Sequence, residues 1–229
     1  MNLDLFVDTS RKGISMGMQD SDSGMYLETV DDAARGETAS AILDELLVRA
    51  GAKLDHIRRV LVTLGPGSFS GLRTGVAFCQ GLCFSGNRKL YGGSTLQALE
   101  CFSVNAESSE GAAHETRSGS IVSTATVIIR ARPGYWYMRQ TRLDTAEESF
   151  ISTEEVLARL EANTPKRMVR DDAVLADESI AGFIRQKNIH YVHEKNQKLS
   201  AWTALFDVVP PGLIQEANYI QPSYFEKLK

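Results

Sequence analysis

The chain has 229 residues, of which 43% are hydrophobic and 24% charged, with a formal charge of -4 and a pI near 5.6. That length can bury a full core in one large domain or two small lobes, and the composition excludes collagenous, repeat and disordered classes. The acidic balance argues against broad electrostatic binding of nucleic acid by this chain alone, because counterion release needs a face rich in Lys and Arg.

The first residues, "LDLFVDTS", read as an apolar strand ending in a polar turn. "GISMGMQ" and "GMYLETV" follow as half-buried strands, and three short strands with small turns make an antiparallel meander. From Thr38 the period changes. Ala39, Ile42, Leu43, Leu46 and Ala50 fall on one side of a helix that Gly51 can close. "RRVLVTL" returns to strand, followed by a glycine-rich turn, a helix from about Gly71 to Phe84, the strand "KLYGG", and a helix from Thr95 to about Phe102. Residues 104 to 120 hold hardly a large apolar group and read as a loop or lobe boundary, so the division expected is 1–104 and 105–229, with the last dozen residues packing back on the first lobe.

Beyond the boundary, "IVSTATVIIRA" and "YWYMRQTRL" read as strands around Arg132-Pro133-Gly134. The arginines of this stretch, from Arg130 to Arg142, are interleaved with Tyr135, Trp136 and Tyr137. They either stack bases or simply face water from exposed strands, and the second reading is favoured because no known stacking motif is present. "STEEVLARLEA" carries a capping box of Ser152 or Thr153 with Glu155. Strands are expected near "RMVR" and "HYVH" with a short helix between them, and "SAWTALFDVV" reads as helical or mixed. Cys79, Cys83 and Cys101 form no CxxC pair and read as reduced core thiols. No basic segment precedes a long apolar run, so a cytoplasmic protein outside any membrane is expected.

The stretch "LGPGSFSGLRTG" invites three chemical readings, and spacing removes each. A Walker loop needs Lys-Ser/Thr after its second glycine, and no lysine lies between Lys53 and Lys89. A dinucleotide fingerprint fails at Ser70, and a nucleophile elbow fails at Phe69. Anion binding by free backbone N–H groups survives as a weaker reading than a plain one, in which Ser68 or Ser70 caps the helix while the glycines let backbones approach.

In the helix that follows, Leu72, Val76, Cys79 and Cys83 form one stripe, with Thr74, Ala77, Gly81 and Ser85 opposite. Its surface has almost no charge, so both faces should be covered by protein. Either both lie within the parent lobe, or the small-residue face awaits a partner. Patterning alone leaves these two readings level.

The motif Gly65, Pro66, Gly67, Ser68, Phe69, Ser70, Gly71, Leu72, Arg73 within "GPGSFSGLRTG" closely resembles the GPGSFTGLRIG signature of the bacterial TsaB (YeaZ) family. "LFVDTS", "ETASAILDELLVRAG", "GGSTLQALE" and the tail "YIQPSYFEKL" are similar to other family segments. The resemblance spans residues 1 to 100 and the last dozen, and thins from 105 to 205.

It implies an α/β, two-lobed fold of the actin, Hsp70 and sugar-kinase (RNase H-like) type, with mixed sheets flanked by helices. The function implied is tRNA modification, the formation of N6-threonylcarbamoyladenosine at position 37, as non-catalytic partner of a TsaD-like transferase in a heterodimer. A TsaE-like ATPase joins the complex, tRNA is met only through it, and a homodimer is open when the partner is absent. The family's interface, carried onto this sequence, falls on Ala41, Val48, Thr74, Ala77, Phe78 and Gly81.

The resemblance implies no catalytic residue, cofactor or metal in this chain. Two departures stand out. No histidine begins the first helix, and the family's "DAR" is Arg130-Ala131-Arg132 here. The alternative is a nucleotide-binding ATPase or kinase of the same superfamily, or a peptidase-like protein, resting on Asp8 and the glycine turn. Asp8 lacks an acidic partner, and His190 and His193, three apart in a strand, would point to opposite faces.

Overall fold

A computed structural model describes residues 1–84, 86–105, 125–142, 145–212 and 215–218. Ser85, most of the expected loop and the tail "YIQPSYFEKL" lie outside these residues. The described residues fall into two compact units, Met1–Thr95 with the described part of Lys198–Tyr219, and Leu96–Gln197.

In the first unit β1 (Leu3–Asp8), β2 (Ile14–Asp20) and β3 (Tyr26–Asp31) form the expected antiparallel meander. β4 (Ile57–Gly65) and β5 (Lys89–Ser94) extend the sheet in parallel from the other side of β1, giving the order β3-β2-β1-β4-β5. The register sets Leu5 opposite Met18 and Val7 opposite Met16. All four are buried in one core, and a slip by one residue would drive Asp4 and Ser15 into it.

Helices α1 (Ala39–Ala50) and α2 (Phe69–Phe84) cover that face of the sheet. The five expected α1 residues are all buried, and Gly51, at φ 61°, ends the helix with its N–H on the carbonyls of Leu47 and Val48. Each fully buried leucine here contributes roughly 1.5–3 kcal/mol, so Leu46→Ala alone would damage the layer.

The opposite face is covered by the returning segment 199–208, a run of 3-10 turns and a four-residue helix, Leu205–Val208. Phe206 packs against Phe6 with centroids 5.6 Å apart and meets Tyr91 edge-on at 4.8 Å. Arg59 lies over Phe206 at 4.2 Å and donates from Nε to Asp4 at 2.7 Å.

The second unit opens with α3 (Thr95–Asn105), which continues through the first two residues of the expected loop. Its sheet repeats the topology of the first. β6 (Thr126–Arg132), β7 (Tyr135–Arg142) and β8 (Thr145–Ser152) form a meander, and β9 (Arg167–Arg170) and β10 (His190–His193) extend it in parallel, in the order β10-β9-β6-β7-β8.

β8 has no clear sequence signal, because Thr145, Ala146 and Glu147 are exposed and only Ile151 is fully buried. Helix α4 (Thr153–Ala162) starts on the expected box, with Ser152 Oγ accepting from Glu155 N at 3.2 Å and Glu155 accepting from Ser152 N at 2.9 Å. In place of one short helix there are two, α5 (Asp172–Ala176) and α6 (Glu178–Lys187). Asp177 divides them by accepting from the N–H groups of Ser179 and Ile180. Ile128, Trp136 and Met138 pack under α4, α5 and α6. Leu96 and Leu99 of α3 cover Val127, Ile129 and Tyr137 on the other face.

Candidate functional site

The glycine-rich turn joins β4 to α2 and presses both onto the turn after β1. Gly65 sits at φ 114°, a conformation that glycine adopts without strain. Ser68 N donates to Ser10 O at 2.6 Å, and α2 then begins at Phe69, two residues earlier than the sequence reading. Ser68 is the cap, since its Oγ accepts from Gly71 N at 3.2 Å and its carbonyl from Leu72 N at 2.8 Å. A Cβ at Gly67, Gly71 or Gly75 would run into the Ser10 carbonyl oxygen, the Thr9 carbonyl oxygen or Thr9 Oγ1, respectively. Three glycines four residues apart thus let the helix lie against the backbone of Thr9 and Ser10. Sequence spacing carries the glycines but not their target.

Asp8 stands just before that turn and is fully engaged. It accepts from Ser10 N at 2.9 Å, Ser10 Oγ at 2.6 Å and Thr63 Oγ1 at 2.9 Å, and Arg11 Nη2 lies 3.0 Å from its other oxygen. Burial opposes its ionisation, but Arg11 and the hydrogen bonds from Ser10 and Thr63 outweigh it and hold the carboxyl below its ordinary range. This carboxylate ties β1, β4 and the turn together, and every interaction it makes is internal. Among the described residues no group of three or more His, Cys, Asp or Glu side chains could hold a metal ion.

Beside the turn lies a cleft of about 640 Å³, bordered by Arg11, Lys12 and Arg35 with Ser68 and Ser70 of the helix start. Asp32 and Glu37 on its margin offset part of that positive charge.

The two helices present their outer surface away from the sheet. Leu72, Val76, Cys79 and Cys83 of α2 are buried as expected. The opposite stripe is not covered by the described residues: Ala77 and Gly81 are exposed, and none of them lies within 4 Å of where a Gly81 Cβ would be. Ala41 is exposed on α1, Val48 is 80% exposed, and Phe84 and Phe69 on α2 are 80% and 56% exposed. Thr74 is half-buried against Gly36, and Phe78 is half-buried against the core. Of the two readings that patterning left level, cover within the lobe or an open small-residue face, the described residues have the open face. Charge here is mostly on α1, where exposed Asp44 lies between Ala41 and Val48 and Arg49 is paired with Glu45 at 3.4 Å, while on α2 Arg73 is folded over Phe69 at 4.4 Å.

The arginine-rich hairpin divides between core and surface. Trp136 and Tyr137 are buried, which removes them as stacking groups, whereas Tyr135 is 37% exposed. Arg139 is held by Glu100 at 2.7 Å and Glu148 at 2.9 Å. The backbone N–H of Arg130 donates to Asp171 at 2.7 Å, and Arg132 lies over the Tyr135 ring at 4.3 Å. His193 lies 2.6 Å from Asp172 and accepts from Lys195 N, while His190 is exposed.

Residues 32–206 match the family model described as TsaD, tRNA N6-adenosine threonylcarbamoyltransferase. The chain is 23% identical over 166 residues to the tRNA threonylcarbamoyladenosine biosynthesis protein TsaB of Haemophilus influenzae, covering 72% of this chain and 70% of that one. Among solved structures, a Pseudomonas aeruginosa protein described as similar to peptidase YeaZ superposes with a TM-score of 0.63 at 18% identity, covering 96% of this chain and 100% of that one. YeaZ from Pseudomonas aeruginosa gives 0.56 at 21% identity, over 82% of this chain and 94% of that one. These likenesses give the fold, two α/β units with mixed sheets flanked by helices.

Proposed function

This chain belongs to the TsaD, tRNA N6-adenosine threonylcarbamoyltransferase, family, and from that premise we propose that it serves threonylcarbamoyladenosine formation in tRNA as a non-catalytic partner of a TsaD-type transferase. The likeness to TsaB supports the pathway, and the open face of α1 and α2 carries the partner role. An apolar layer with Val48 and Phe84 each 80% in solvent is unfavourable on a chain that works alone. A transferase presenting a like pair of helices would bury it, and the bare backbone at Ala77 and Gly81 lets the helices approach closely.

The chain transfers nothing itself in this reading. Asp8, the acid on which an enzymatic reading would rest, is engaged by Ser10, Thr63 and Arg11. A TsaE-like ATPase and the tRNA join through the complex, in the cytoplasm, and a homodimer through the same face stays open when the transferase is absent. No helix among the described residues is long and apolar enough to cross a membrane.

The test is co-purification of the transferase with Ala77→Arg and Gly81→Trp variants, each checked for a native melt. Loss of the complex with a folded monomer is expected, and an intact complex with both variants overturns the interface. The basic cleft beside Arg11, Lys12 and Arg35 favours a second reading, nucleotide binding by this chain. Calorimetry with ATP and magnesium decides it, and micromolar binding by the isolated chain would displace the partner reading.

A further inference from the structure

The β6–β7 hairpin carries a cation that the partner role does not use. The Arg132 guanidinium lies 4.3 Å above the Tyr135 ring and 5.4 Å from that of Phe150, and the two rings stack 5.1 Å apart with 6° between their planes. Its charge also bears on the Tyr137 hydroxyl, partly countering the upward push that burial gives that group. Arg132 has no ion-pair partner among the described residues, and its Nε is buried without a hydrogen-bond acceptor. Two nearby acids, Glu148 of β8 and Glu100 of α3, are both held by Arg139.

A guanidinium held over one ring and near a second has lost part of its water shell and keeps its fork of N–H groups in place. That fork matches an oxyanion in two-point contact, and the stacking fixes its direction beforehand. The exposed apolar surface is small, since Phe150 is half-buried and Tyr135 only 37% exposed. A stable protein interface needs about 800 Å² on each partner, far more than this corner offers. One charged group beside one open aromatic ring instead fits one nucleotide unit, a phosphate with its base.

We infer that Arg132 and Tyr135 form an RNA contact, the guanidinium holding a backbone phosphate and the Tyr135 ring supporting the adjoining base. The choice of tRNA as the RNA rests on the function proposed above, but the contact itself is tested without the partner.

In the isolated chain, the Arg132 Nε–Hε resonance is followed by NMR while tRNA is added at low salt. A weak saturable shift is expected at low salt, vanishing near physiological salt because firm tRNA binding needs the complex, together with its loss in Tyr135→Ala, whose melt checks the fold. Arg132→Lys should bind at least about threefold more weakly, because an ammonium keeps the charge but not the fork. An unmoved Arg132 resonance overturns the contact. So does an equal shift with polyglutamate at matched ionic strength, which would assign the corner to protein carboxylates.

In the complex with the transferase, Arg132→Ala should weaken tRNA binding about fivefold to tenfold and lower the salt slope by about 1, with assembly unchanged. Unchanged affinity and slope in an assembled complex also overturn the contact. Failure of the wild-type chain to assemble counts against the partner role and leaves the NMR result to decide the contact.

Discussion

At Asp8 the balance between burial and charge is set by three neighbours. Burial alone would raise its pKa, yet Arg11, Ser10 and Thr63 bring it below the ordinary value. A carboxyl depressed in the folded state stabilises the protein above the unfolded value, about 3.9, and loses that contribution as pH falls through the folded one. Asp8→Asn should therefore lower stability by about 2 kcal/mol near neutral pH, because the charged acceptor of the Ser10 and Thr63 hydrogen bonds and of the Arg11 pair is lost. The difference from wild type should begin to shrink below about pH 4, where the unfolded carboxyl takes up its proton, and it is fully lost only below the folded value, which is lower still. Urea titrations across that range measure it, and a gap that stays constant down to about pH 2 would mean the charge at Asp8 is not its source. The "DTS" turn is legible as a turn, but Asp8's partners are not, because Thr63 lies 55 residues away on another strand.

On the scale of single elements, α2 separates two kinds of glycine. Gly71 has the Thr9 carbonyl oxygen where its Cβ would be, whereas Gly81 faces open space. Gly71→Ala should then destabilise by about 2 kcal/mol or more, since backbone must move to admit the methyl. Gly81→Ala should stabilise the isolated chain by about 1 kcal/mol, the usual gain of alanine over glycine inside a helix. Thermal melts of the two variants check both signs, and destabilisation by Gly81→Ala would contradict an open face. The periods of α1 and α2 are legible because a helix repeats its core contacts locally. Ile42, Leu43 and Leu46 announce a buried stripe, and so do Leu72, Val76 and Cys79. Whether Ala77 and Gly81 meet a neighbour depends on distant chain, and local pattern carries no record of that. β8 is obscure for a related reason, since it is held by pairing with β7 while most of its side chains face water.

The whole molecule applies one topological rule twice. Each unit sets a meander beside two parallel strands, and in each the central strand, β1 or β6, is the first of its meander. The first unit is completed only when the chain returns at residues 198–208, after the second sheet is finished. Leu199, Trp202, Leu205 and Phe206 are buried, but the stretch "SAWTALFDVV", read only as helical or mixed, does not say which sheet they cover. In the structure they lie on the β1 and β2 face opposite α1 and α2, where Phe206 touches Phe6 and Tyr91. Phe206→Ala should for that reason cost about 3 kcal/mol, as expected for an aromatic side chain removed from a core. The loss should be read in the first unit. The chain has two tryptophans, and Trp136 belongs to the second unit, so a Trp136→Phe background leaves Trp202, 1% exposed, as the sole reporter. Phe206→Ala in that background should lower the urea midpoint seen by Trp202 emission, with the folded-state spectrum still that of a buried indole. An unchanged midpoint would mean that the returning segment contributes little to holding the first unit together, and that its contacts with Phe6, Tyr91 and Arg59 are replaced by others when the ring is lost.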